Sequence, residues 1–159
     1  MGLLTDIQTA IKDRLESIEY FQGITVVCES KGDIVSEVNA ALLKVGAGIL
    51  VTTPAAYSDK PNVPGPQFLT PGGGIKVRVQ VYEAVSINRG SQGSQKPASD
   101  IAENVAAYLH LFVPTISGTQ LGLLACDPGQ AAIVSDYDAE RNMLIYDINL
   151  ITHGGLVVV

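Results

Sequence analysis

Along residues 75–82 the chain alternates without a break: Ile75, Val77, Val79 and Val81 are apolar and β-branched, and Lys76, Arg78, Gln80 and Tyr82 stand between them. Successive side chains of a strand point to opposite faces, so a period of two demands a sheet with one face in a core and one polar face. A helix cannot separate these residues in that way. The rest of the chain must supply strands to pair with this one and helices to cover its valine side.

The helices announce themselves by spacings of three and four. Leu4, Ile7, Ile11, Leu15 and Ile18 make one stripe, with Asp6, Lys12, Asp13 and Glu16 on the other side. Thr5 and Gln8 stand in the capping-box relation, and a start at Gly2 is the alternative. Gly23 releases the chain into a short β-branched strand over 24–28. Ser30 and Asp33 are caps for a second helix carrying Ile34, Val38, Leu42 and Val45, which Gly46 stops. An apolar strand over 47–53 completes an α-β-α-β opening. Pro97 begins a third helix bearing Ile101, Val105, Leu109 and Phe112, and Pro114 ends it.

Two stretches break the pattern. Residues 54–73 hold Pro54, Pro61, Pro64, Pro66 and Pro71 with Gly65, Gly72 and Gly73, which predicts a long loop without helix or strand, suited to a binding arm or lid. Residues 86–96 are a second, polar loop. The remainder is β-rich, with strands over 121–126, 131–136 and 143–153 and a polar turn at 138–142 that makes the last two an antiparallel hairpin. Asp147 and Asn149 alternate with Tyr146, Ile148 and Leu150, giving the final strand one wet or partner-facing side. An apolar tail, 156–159, fits the edge of a neighbour's sheet as well as its own domain. The expectation is an α+β fold, one domain over 1–159, with a mixed, largely antiparallel sheet and about three helices packed on it.

Composition limits the function. A chain of 159 residues with 47% apolar and 16% charged content is expected to fold alone. Sixteen acidic against ten basic residues, a net charge of -6, disfavours a dedicated grip on DNA phosphates. Cys28 and Cys126 lack metal-type spacing and read as two reduced thiols. The first eighteen residues lack the pattern of a secretory signal, and no apolar run approaches the roughly 20 residues of a membrane span, so no membrane partner is expected.

Candidate chemistry is thin. Gly90, Ser91, Gln92, Gly93, Ser94, Gln95 and Lys96 precede a helix as a phosphate-binding loop does, but Gln95 stands where the second glycine belongs and Pro97 replaces the metal-holding hydroxyl. A surface loop explains the same residues. Asp136, Asp138 and Glu140 are read as a solvated hairpin turn before a calcium site, and His110 and His153 as surface histidines at element ends. Ser91, Ser94 and Ser99 lack a nucleophile elbow. No catalytic residue, cofactor or metal is expected. Lys76, Arg78 and Arg89 carry no interleaved aromatics, so acidic residues of another subunit suit them better than nucleic acid.

The helix beginning near Leu4, Thr5, Asp6, Ile7 and Gln8, the short α/β unit and the long alternating strand resemble the small proteins that finish a tailed bacteriophage's tail. The stretch Asn88, Arg89, Gly90, then Lys96, Pro97 and Ala98 opening a helix from Asp100 to His110, is similar to a segment of tail terminator and tail completion proteins, the Mu-like group among them. The likeness covers most of the chain. It implies a homo-oligomer, a hexameric ring on the head-proximal end of the tail tube, with the tail tube protein and a head completion or neck protein as partners. DNA passes through such a lumen without specific binding, and the protein resides in the virion after assembly in host cytoplasm. On this reading Tyr57, Pro64, Phe68, Arg78, Arg89 and Lys96 are the candidate contact residues. The alternatives are another virion subunit (neck, tube or baseplate) and, in a different class, a small nucleotide- or ligand-binding enzyme using the 90–96 loop.

Overall fold

The alternating strand sits at the centre of the molecule and is paired on both sides. The structure, a computed structural model, describes residues 2–57, 73–116, 119–120, 122–153 and 157–158. Helix α1 (Leu3–Glu16) and a short 3-10 turn (Glu19–Phe21) lead to strand β1 (Thr25–Cys28), helix α2 (Ile34–Val45) and strand β2 (Ala47–Tyr57). Strand β3 (Gly74–Ala84), one-turn helix α3 (Val85–Asn88) and helix α4 (Ala98–Leu109) follow. The last third holds β4 (Thr115–Ile116), β5 (Thr119–Gln120), β6 (Leu124–Cys126), β7 (Ile133–Asp138), β8 (Met143–His153) and β9 (Val157–Val158).

Strand β3 pairs antiparallel with β2 and with β8, the latter over its whole length from Gly74↔His153 to Ala84↔Met143. Strand β1 lies parallel outside β2, while β6 and β7 share the far edge of β8. A small second sheet joins β4, β5 and β9. The result is the α+β, mixed and largely antiparallel architecture that the patterning predicts.

Helices α1 and α4 cover the valine face. Ile7, Ile11 and Leu15 from α1 and Ile101, Val105 and Leu109 from α4 meet Val77, Val79 and Val81, with Ile49, Val51, Ile148 and Leu150 beside them, all essentially without exposed surface. Burying each such side chain is worth about 1.5–3 kcal/mol. Helix α2 packs on the opposite face at the β1–β2 end. A Cβ added to Gly48 would lie 3.0 Å from the Ala41 methyl, so a side chain there would require α2 to give by a few tenths of an ångström. Asp33 caps α2 by accepting from the Ser36 N–H at 3.3 Å, and Gly46 ends it in the left-handed conformation at φ 80°.

Several boundaries differ from the sequence reading. The proline-rich 54–73 stretch is not free of strand, because β2 runs through Pro54 to Tyr57. The ladder shifts register between Thr52 and Ala55, so Thr53 and Pro54 together oppose one residue of β3; a bulge leaves a residue outside the ladder and lets a proline stay in a strand. The 86–96 loop opens with α3. The strand expected over 121–126 is confined to Leu124–Cys126 among the described residues, and the one expected over 131–136 runs from Ile133 to Asp138. Helix α1 takes the Gly2 start, and the Gln8 side chain caps nothing. Asn149 is buried, not wet, since the 127–132 segment folds over it and Asn149 Nδ2 donates to the Ala131 carbonyl at 3.0 Å.

Gly46 tests this packing. With φ at 80°, an added Cβ would lie 2.2 Å from the Asn88 backbone nitrogen, so Gly46→Ala meets both backbone strain and a collision with main chain. The expected loss is about 2 kcal/mol or more, a fall of roughly 4–8 °C in Tm by calorimetry. Gly2→Ala, with nothing near its Cβ, meets no collision and is expected to cost only the exchange of a glycine N-cap for alanine, about 1 kcal/mol or less, a fall of roughly 2–4 °C in Tm at most.

Candidate functional site

Glu83 falls on the valine row of β3 and is fully buried. Its carboxylate accepts from Arg89 Nε at 3.0 Å and Nη2 at 3.3 Å, from Asn88 Nδ2 at 2.5 Å and from the Ala98 N–H at 3.0 Å. Burial disfavours the charged form, but these donors outweigh it and hold the carboxyl below its ordinary value. One carboxylate thereby ties the end of β3 to α3 and to the first residue of α4. Asn88 also donates to the Lys96 carbonyl at 2.8 Å and accepts from the Ser94 hydroxyl.

The same contacts decide what the 90–96 loop can bind. A phosphate-cradling loop keeps its backbone amides free and aimed at one point. Here Gly90 donates to Ile87, Gly93 to Gly90, Ser94 to Val45, Gln95 to Asn88, and the Lys96 N–H to the Ser94 hydroxyl. Gly93 lies so close to α3 that an added Cβ would sit 2.2 Å from the Asn88 carbonyl oxygen. The Lys96 ammonium donates to the Tyr20 carbonyl and lies 4.4 Å from the Tyr20 ring centroid. This loop is a clasp turned inward.

The face away from α1 and α4 carries the polar row of β3. Arg78 Nε donates to Asn149 Oδ1 at 3.4 Å, Gln80 Nε2 to Asp147 Oδ1 at 2.9 Å, and the Tyr82 hydroxyl to Gln80 Oε1 at 3.0 Å. Lys76 lies 3.6 Å from the buried Asp127 carboxylate, which is held below its ordinary value by the Gly129 N–H, against burial, and further by Gln130 and Lys76. Beside this row α2 leaves an apolar groove of about 160 Å³, lined by Val35, Val38, Leu42, Tyr82, Arg141 and Met143. Val35 and Leu43 stand well exposed on the helix itself.

The two edges of the main sheet are unlike. Strand β1, paired with β2 alone among the described residues, floors a cleft of about 360 Å³ between α1 and α2, and Lys12, Lys31 and Lys44 rim it with Glu37. Strand β7, paired with β8 alone among them, projects as one arm of a hairpin that carries Asp136, Asp138 and Glu140 and exposes Val134 and Tyr137. The hairpin carboxylates are used locally: Asp136 accepts from the Tyr137 N–H at 2.9 Å, and Asp138 from the Glu140 and Arg141 N–H groups at 3.1 and 3.3 Å.

Of the six contact residues named from the sequence, Arg89 and Lys96 come together in the clasp and Arg78 stands apart on the polar face. Tyr57 ends β2, and Pro64 and Phe68 lie outside the described residues. His110 caps the end of α4 and accepts from the Cys126 N–H at 3.4 Å; both cysteines are free. Sequence reasoning missed Glu83, Asn88 and Gln8. Glu83 continues the odd-numbered buried row of β3, and Gln8 completes the 4, 7, 8, 11, 15 stripe of α1, so position signalled both even though residue type did not. Buried Gln8 donates to Thr53 Oγ1 at 2.8 Å and Glu29 Oε1 at 3.2 Å, and accepts from the Ser30 N–H at 3.0 Å.

No family model matches the sequence, and no curated protein matches it. Among solved structures the fold is similar to that of a chain in the virion of a native gene transfer agent particle, with a TM-score of 0.57 at 12% identity over 92% of each chain. The likeness therefore runs through nearly the whole fold.

The clasp predicts an acid-sensitive term in stability. Because Glu83 is held below its ordinary value when folded, its contribution is fully present above the unfolded value and is lost as the pH falls through the folded one. Glu83→Gln is expected to lower stability by about 2–3 kcal/mol at pH 7. Denaturation midpoints of wild type and variant measured from pH 7 down to pH 3 are expected to converge in acid; a gap independent of pH would contradict an ionised clasp.

Proposed function

We propose that this chain is a structural virion protein that caps the head-proximal end of a phage tail tube as a ring, ending tube growth and offering the surface to which the head joins. The observation that carries the reading is the shared fold: a chain of a virion has this arrangement of strands and helices over 92% of both lengths. The residues that resemble tail terminators point the same way. The inward-turned clasp supports it further, since in the loop most like a ligand-binding motif the amides of Gly90, Gly93, Ser94, Gln95 and Lys96 are spent on groups of the chain itself.

In this role the tail tube protein and a head completion or neck protein are the partners, and DNA passes through the lumen without specific contacts, favoured by the net charge of -6. Tyr57, Pro64 and Phe68 on and beyond the end of β2, and Arg78 on the polar face, make the contacts. Arg89 and Lys96 serve by holding their loop in shape around Glu83 and Tyr20.

The test uses the purified full chain with the tail tube protein of its own particle. Closed hexameric rings are expected by native mass spectrometry and negative stain, and adding them to polymerising tube protein is expected to halt elongation, leaving a ring at one tube end. Tubes that grow unchecked in a molar excess of the chain would rule the terminator role out. Incorporation of the chain along the tube wall would mark a tube subunit instead.

A further inference from the structure

We infer that copies of this chain join head to tail by β-strand addition, the projecting β7 edge of one copy entering the β1 cleft of the next. The inference rests on the ring reading above and names the contact that builds the ring.

The backbone supplies the register. The Glu29 N–H donates to the Val51 carbonyl, so Thr25 and Val27 turn their backbone groups to β2 while Val26 and Cys28 turn theirs to the recessed outer edge, where the Cys28 carbonyl already accepts from the Lys31 N–H at 3.1 Å and has its second lone pair left for a partner. On β7 the Asn149 N–H donates to the Ala132 carbonyl, so Val134, Asp136 and Asp138 face β8 while Ile133, Ser135 and Tyr137 face outward. Strand β1 runs parallel to β2, and two antiparallel steps from β2 through β3 to β8 and a third to β7 leave β7 running opposite to β1. A neighbour added without inversion therefore pairs β7 with β1 antiparallel, with Ser135 opposite Val26 and Ile133 opposite Cys28. These four residues share the face that α1 and α4 cover in each copy, so the two sheets continue with their faces matched. Val134 then stands opposite Val27, and Asp136 opposite Thr25.

Charge and shape agree with that register. Lys44, at the end of α2 beside the start of β2, borders the cleft at its Thr25 end, where Asp136 arrives. Lys31 and Lys44 have no salt bridge among the described residues, whereas Lys12 is 3.6 Å from Glu16. Val134 and Tyr137, 47% and 54% exposed, gain cover in the pairing. One edge is recessed between two helices and the other protrudes, and a copy presents both, so the contact is heterologous and closes into a ring where the rotation permits.

Ser135→Pro tests the backbone part. It removes an N–H that points away from β8, at a position where an edge strand tolerates proline. The variant is expected to keep its circular dichroism and to assemble at least tenfold more weakly than wild type in sedimentation velocity. Lys44→Asp is expected to weaken assembly as well, and adding Asp136→Lys in the same chain to restore it; this exchange decides the matter even where Ser135→Pro folds poorly. Rings that resist both changes overturn the β1–β7 contact and leave the terminator reading standing. Open filaments that respond to both uphold the contact and remove the ring, and a chain monomeric at every concentration overturns both.

Discussion

The double pairing of β3 is the constraint on which the rest depends. A strand with neighbours on both sides has every backbone group committed, so its register fixes which residues of β2 and β8 reach the core. The register brings Ile49, Val81 and Tyr146 into one row and Val51, Val79 and Ile148 into the next, and α1 and α4 need present only a stripe of aliphatic side chains to that surface. A slip of one residue would turn Lys76, Arg78 and Gln80 toward α1 and α4. The charges on the far face are thus part of what makes the pairing unique.

Glu83 extends the same logic into the functional surface. A carboxylate in a row of valines is unfavourable unless several donors meet it, and the four hydrogen bonds from Arg89, Asn88 and Ala98 do so. Breaking such a pair costs more than the pair contributes over an apolar core, which makes it a device for specificity more than for net stability. What it specifies is the path from β3 through α3 to α4. Gly46 and Gly93 allow the main chain of Asn88 to sit against both, so the clasp also locks the end of α2 beside the start of β2. Lys44 borders the cleft from that end of α2.

Periodicity read the layers well because each long element has one dry side. The β3 alternation survives in the structure, as do the stripes on α1, α2 and α4 and the caps Asp33 and Gly46, except that α1 stops at Glu16 before Ile18 and α4 at Leu109 before Phe112 and Pro114. What escaped was decided by partners distant in sequence. Pro54 reads as a strand breaker until the bulge opposite Val77 removes its need for a ladder bond. Asn149 reads as wet until residues 127–132 fold over it, and nothing local to Arg89 and Lys96 signals Glu83 and the Tyr20 carbonyl as their partners. The two unequal sheet edges were legible only in part: the hairpin carboxylates stood out, but that β1 and β7 end the sheet is a matter of strand order.

Strand order also explains why unlike edges suit head-to-tail growth better than a two-fold dimer. Joining two β7 edges would set two acidic hairpins side by side, and joining two β1 edges would set the lysines that rim one cleft against those of the other. Each edge thereby excludes itself. Recessing β1 between helices and charging β7 are the devices by which natural sheets avoid indiscriminate edge pairing. Here each device answers the other, since the acidic hairpin is oppositely charged to the lysines at the rim. A chain with a net charge of -6 repels its own copies at long range, so contact at short range has to come from a local reversal of sign. The lysine-rimmed cleft is such a reversal, and it lies along the β1 edge of the sheet.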